Sequence, residues 1–357
     1  MSACFKRARQ RPAAKSAPTL VAGVIAALAL APVALAQAPG YTPPKTSWGA
    51  PDFTGIWTNE SRTVMMRPAS ATKLVVNEEE ETELLKDNVY TKVEADEAGA
   101  SDVSNEASKK LLADANSNRG YNRFWMEPGQ SLARVKGEIR TSWVVDPQSG
   151  RIPYKPSAAR SYNSYDGTET RPLTERCMRG FTNEAGPVIG NGMYNNNYQF
   201  VQTPGYVMIF AEMIFDARIV PIFPTKAAAQ AGHGPAVVTK KDGDAVGWYE
   251  GNTLFVETVN TPGRTNIYVS NNGKVIERFT RWNKDQVLYE FTVDDPSLFT
   301  QTWSGEMAFN ATDKPPMEYA CHEGNYGLLG IMAGARKLDA DGREHPKFQP
   351  VFGELSE

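Results

Sequence analysis

The stretch from Gln199 to Val220, QFVQTPGYVMIFAEMIFDARIV, constrains this chain more than any other. It is the longest apolar run beyond the N-terminal leader, yet it carries Glu212, Asp216 and Arg218. Thr203-Pro204-Gly205 is a turn signal, so Gln199–Gln202 and the residues from Tyr206 onward read as two strands meeting at a tight bend. Side chains alternate across a strand, which puts Val207, Ile209 and Ala211 on one face. Tyr206, Met208, Phe210, Glu212, Asp216 and Arg218 then share the other. Tyr206 to Val220 would extend about 50 Å at strand rise, so a bend or bulge is expected near Met213–Phe215. Two readings of the charges stand side by side. Asp216 and Arg218 form a structural ion pair with Glu212 at the rim, or the three make the polar floor of a pocket, because buried charge is costly unless paired or used.

Residues 1–36 read as a secretory signal peptide. Lys6, Arg7, Arg9, Arg11 and Lys15 precede an apolar segment, and Ala34-Leu35-Ala36 fits a cleavage site. There is no twin arginine and no cysteine after that site, so Sec export to a soluble periplasmic form is expected, a retained anchor being the alternative. Cleavage removes five bases and no acids, taking the net charge from −3 to −8. That argues against nucleic acid or an anionic membrane as partner, and leaves a homo-oligomer open. It also leaves two cysteines, Cys177 and Cys321. In an oxidising compartment these most simply form one disulfide; a reactive thiol is the other reading.

The remaining residues, 37–357, read as one domain. Gly55-Ile56-Trp57 opens a first strand. Asn77–Asn116 breaks the β pattern: Asn77 and Glu80 make a capping signal, and Ser104 begins a second short helix around Leu111-Leu112. This insertion is expected outside the sheet. Strands return at Glu138–Asp146 and Arg151–Tyr154. Ser157–Asn197 is a long loop, the kind that is functional or pinned, and Cys177 would pin it. Its end, Tyr194 to Asn197, belongs at a pocket mouth. Thr225–Gly234 reads as a mobile loop containing His233. Gly247–Glu250 and Thr253–Val259 flank the two-residue turn Gly251-Asn252, and Val275–Trp282 and Val287–Val293 make a second hairpin. Thr300–Phe309 adds a strand, and Leu328–Lys337 a short terminal helix. About ten sequential strands without βαβ alternation give a mainly β, antiparallel barrel of calycin type and argue against Rossmann and TIM folds.

Dinucleotide, P-loop, nucleophile-elbow and C-x-x-C motifs are missing, and His233, His322 and His345 lack metal-ligand spacing, so no cofactor and no metal is expected. Asp294-Asp295-Pro296 reads as a turn more readily than as a Ca²⁺ site. Cys321-His322-Glu323 places a histidine beside a fixed disulfide and a carboxylate, suited to proton transfer or to a structural hydrogen bond. Glu212, Glu250 and Glu277 are further acid–base candidates, with Arg218 or Arg278 to neutralise them or hold a phenolate. Trp57, Trp143, Trp248 and Trp303 are core or, with Tyr194 and Tyr206, walls for a flat aromatic ligand.

The Gly-x-Trp opening resembles that of lipocalins and calycins. Pro51–Trp57, Arg140–Pro147, Gly247–Leu254 and Glu318–Tyr326, in that order, resemble a large family of exported proteobacterial and acidobacterial proteins with calycin-like barrels. Phe215 stands where many of those relatives carry a histidine before Asp-x-Arg, which removes a histidine-based role there. One branch of that family is similar to cofactor-independent γ-formaldehyde lyases acting on lignin-derived phenylcoumarans. The resemblance implies a periplasmic lyase for a small phenolic aromatic. In it Glu212 and His322 serve as bases and Arg218 as the cation, while Tyr194, Asn196, Tyr206, Asp216, Trp248 and Glu250 bind substrate. A lipocalin-like carrier of a small aromatic or apolar ligand is the rival expectation.

Overall fold

The computed structural model describes residues 38–101, 126–158, 173–238, 240–262 and 268–344. The signal-peptide reading, the helix expected around Leu111-Leu112 and His345 fall outside these residues. All of the described residues belong to one compact unit, Leu35–Glu357.

Nine strands close a barrel. β1 (Gly55–Thr58) pairs with β6 (Asn197–Thr203), followed in order by β7 (Tyr206–Ala211), β8 (Asp216–Phe223), β9 (Asp244–Glu250), β10 (Thr253–Val259), β11 (Lys274–Arg281), β12 (Gln286–Asp294) and β13 (Trp303–Ala311). β13 pairs back onto β1 through Trp57–Ala311 and Thr58–Asn310. Every junction is antiparallel except β8–β9, which is parallel. Turn chemistry sets the hairpins: Thr203 faces Tyr206 across Pro204-Gly205, and Thr253 faces Glu250 across a turn whose Gly251 has φ +59°.

Aromatic rings fill the barrel. Tyr198, Phe200, Phe279, Tyr289, Phe291 and Phe309 are fully buried. Their ring centroids lie 4.9 to 5.8 Å apart along the chain Tyr198–Phe309–Tyr289–Phe291 and its branch Tyr289–Phe279, a spacing that favours edge and tilted contacts. Trp57 caps one side, with Arg281 5.1 Å from its ring centroid.

Residues expected as one strand, Glu138–Asp146, split between two sheets. β4 (Glu138–Arg140) joins β2 (Val75–Val76) and β3 (Arg134–Val135) in a separate sheet, while β5 (Val144–Asp146) pairs with β13. In place of an Arg151–Tyr154 strand there is an isolated bridge, Tyr154–Phe299.

The insertion holds α1 (Glu78–Lys86), with the expected Asn77–Glu80 capping box, and α2 (Val89–Ser101). Leu84 and Leu85 pack on Val76 and Ile139 of the small sheet and on Leu132 just before it, a cluster separate from the barrel core. The segment expected as a mobile loop contains α3 (Lys226–Ala231), capped by Thr225. The last helix, α4 (Tyr326–Ala340), outruns the expected Leu328–Lys337 at both ends; it starts earlier because Asn325 caps it, the side chain accepting from Leu328 N–H. No helix among the described residues is long and apolar enough to cross a membrane.

Candidate functional site at the disulfide-pinned end of the barrel

The central stretch bends where expected, but the bend reverses its faces. Met213–Phe215 form one 3₁₀ turn in which Ile214 and Phe215 have φ of 51° and 54°. Residues opposite one another in an antiparallel pair share a face, and Ala211 sits opposite Asp216. Ala211 is buried inside the barrel, so Asp216 and Arg218 point inward too. Tyr206, Met208 and Phe210 point outward instead, and Tyr206 is 55% exposed. The shared face expected for Tyr206, Glu212, Asp216 and Arg218 is therefore divided.

The loop that enters β6 folds into this end of the barrel. Ala185, Val188 and Ile189 join the main core. The Ile189 N–H donates to the Tyr289 hydroxyl (3.0 Å), which donates to Glu277 Oε1 (2.9 Å). Arg218 binds both oxygens of Glu277, at 2.6 and 3.0 Å. Gly186, at φ +96°, closes over the pair: a Cβ there would lie 3.1 Å from Arg218 Nη2.

Beside this pair lie three more acids. Oxygens of Glu184, Asp216 and Asp242 come within 4.8 Å of one another, close enough to share one cation. Positive charge already meets them from the protein. Arg179 reaches Glu184 at 2.8 Å and Asp242 at 3.1 Å, and Lys241 reaches Asp216 at 2.5 Å. With Arg218 and Glu277 included, four carboxylates face three cations. Burial raises the Glu184 carboxyl, opposed by Arg179 and Lys241 and reinforced by Asp216. Burial and then the Asp216 charge raise Asp242 as well. Burial that favours the neutral form of a carboxyl group set among other acids is the arrangement that general acid–base chemistry uses.

The loop that carries Arg179 and Glu184 also carries part of an aromatic ledge. Phe181 meets Tyr194 edge-on at 5.9 Å, and Tyr194 stacks on Tyr319 at 6.3 Å. The Cys177–Cys321 disulfide, expected from the cysteine count, joins the two segments that supply these rings. Burial and the neighbouring Tyr319 push the Tyr194 hydroxyl upward.

Several expected site residues lie elsewhere. Glu212 is buried, and its carboxylate accepts from the N–H groups of Asn197 (3.2 Å) and Met317 (2.8 Å). It ties the segment after β13 to the barrel. His322 is exposed in the turn that follows Cys321. Asn196 is spent on the Gly192 and Glu127 backbone. Trp248 lies outside the barrel, stacked on Phe255 beneath α3, and its indole N–H donates to Glu250. Neither Trp248 nor Glu250 reaches the interior. His233, on the same outer side, sits between Asp244 and Glu257.

Sequence reading missed Arg179, Glu184, Lys241 and Asp242. They lie in segments without periodicity, where the one signal was the cysteine that pins the loop. A concavity of about 180 Å³, between the α1–α2 region and the small sheet, lies away from these residues and offers little chemistry. Its Thr141 hydroxyl and Asn88 amide are already bonded to backbone carbonyls.

No protein-family model matches this chain, and no curated protein and no solved structure is significantly similar to it.

Proposed function

We propose that the protein is a periplasmic, cofactor-independent lyase that converts a phenolic, lignin-derived phenylcoumaran into a stilbene and formaldehyde. The observation that carries this reading is the buried Glu184–Asp216–Asp242 cluster, with burial holding Glu184 and Asp242 toward the protonated form. The aromatic ledge of Phe181, Tyr194 and Tyr319 supports a flat phenolic substrate, and the disulfide supports an oxidising compartment. The exported-family motifs supply the substrate class.

The reaction needs only proton transfers. A base removes the phenol proton, and the benzylic C–O bond opens to a quinone methide. The departing phenoxide oxygen takes a proton from a carboxyl group. A carboxylate then removes the hydroxymethyl O–H proton, and the carbon–carbon bond breaks to expel formaldehyde. The electron pair left behind forms the stilbene double bond and restores the phenolate. No net oxidation occurs. In this reading Glu184 or Asp242 is the acid and Asp216 the base. Arg179 and Lys241 stabilise the charge that develops.

The test is incubation of the purified protein with a phenylcoumaran, following formaldehyde and stilbene together. Equimolar appearance of both supports the lyase. Tight binding without turnover would replace it with a carrier.

A further inference from the structure

The outer face of β6–β7–β8 is an uncharged apolar grid. Register aligns Val201, Met208 and Ile219 in one row, and Gln199, Phe210 and Ala217 in the next. Tyr206 continues the central column, and Phe215 leans edge-on against Phe210 at 5.0 Å. Ile219 is 63% exposed, Tyr206 55% and Phe215 52%. Among the described residues the outer face is covered at β9 and at β13. α3 shields Val246 and Trp248, and the outer residue Glu306 of β13 is covered by Lys136 and Arg140 of the small-sheet segment. In a chain with 22% charged residues, a barrel face of three strands without one charge is the exception.

We infer that this face is the contact between two copies of the chain, related by a two-fold axis. A two-fold contact must be complementary to itself, and an uncharged apolar grid meets its own copy without opposing like charges. That matters for a chain whose net charge is negative, because charged faces of two copies repel. A membrane surface is served less well, since an interfacial site sets cationic side chains around its apolar patch and these rows contain none. With roughly 100 Å² from each half-exposed aromatic ring and smaller amounts from its neighbours, two copies bury about 1,000 Å², the lower limit for a specific interface. The association is therefore weak, with a dissociation constant on the order of micromolar.

Sedimentation velocity of the full chain, from about 1 to about 200 μM, tests this across that range. The expected result is a concentration-dependent shift from monomer to dimer. Ile219→Glu and Tyr206→Glu, each tested alone, should hold the protein monomeric while the circular dichroism spectrum and Tm stay near wild type. Two variants guard against one misfolding. A monomer throughout the range, or a dimer that survives both substitutions, overturns the inference. So does a wild-type monomer that floats with phosphatidylglycerol vesicles, which would assign the face to lipid.

Discussion

Arg218 and Glu277 meet through two hydrogen bonds inside the barrel, with side chains 3% and 0% exposed. Burial works against the Arg218 charge, and Glu277 restores it. Glu277→Gln leaves that charge without its counter-ion and should cost about 3–5 kcal/mol in urea unfolding. The double replacement Arg218→Met with Glu277→Leu should cost clearly less, because neither charge is then stranded. Equal losses in the single and double variants would show that packing dominates at this site.

Glu184 makes stability depend on pH. Its folded pKa is raised above the ordinary 4.5 by burial, so its contribution is fully present below that value and is lost as pH rises through the folded value. Glu184→Gln lacks this loss. The Tm of the variant relative to wild type should therefore climb between about pH 4 and pH 8. A difference that stays constant or falls over that window contradicts the assignment.

The Cys177–Cys321 bridge closes a loop of 144 residues. On the chain-entropy model its removal, as Cys177→Ser with Cys321→Ser, should cost roughly 4–5 kcal/mol. Thiol titration of the denatured, unreduced wild type should find no free thiol among these two. Two free thiols, or a double variant as stable as wild type, would show that the bridge is absent or idle.

Glu212 holds the segment after β13 in place through the Met317 N–H. Glu212→Ala leaves the buried Asn197 N–H unpaired, a loss of about 1–3 kcal/mol, and releases the exposed Met317. Limited proteolysis should cut first near Met317 in this variant, with the barrel intact. Unchanged cleavage there would mean that the disulfide alone fixes the segment.

The hairpins were legible in the sequence because their turns are local chemistry. Pro204-Gly205 and Gly251-Asn252 are in place, and the strands on either side follow them. The bend at Met213–Phe215 was also legible, from the length of the run. Its effect was not, because left-handed backbone at Ile214 and Phe215 leaves no mark in residues that normally avoid it. That turn lets Asp216 align with Ala211 and swaps the faces. Asp216 and Arg218 were found as charges inside an apolar run. Glu184 and Asp242 were invisible, since only closure of the barrel brings a loop and a pre-strand turn to Asp216. Trp248 misled for a related reason. A tryptophan in a β9 strand that is buried on both sides reads as interior, but α3 buries it from outside.

The measurement closest to the central claim compares formaldehyde release from a phenylcoumaran by wild type and by Glu184→Gln, per folded molecule at equal substrate saturation. If the buried carboxyl cluster carries the proton transfers, wild type releases formaldehyde and stilbene in equal amounts. The variant's kcat then falls by about 10²–10⁴ with its circular dichroism spectrum unchanged. Wild-type protein that releases no formaldehyde, or a folded variant that keeps the wild-type kcat, contradicts it.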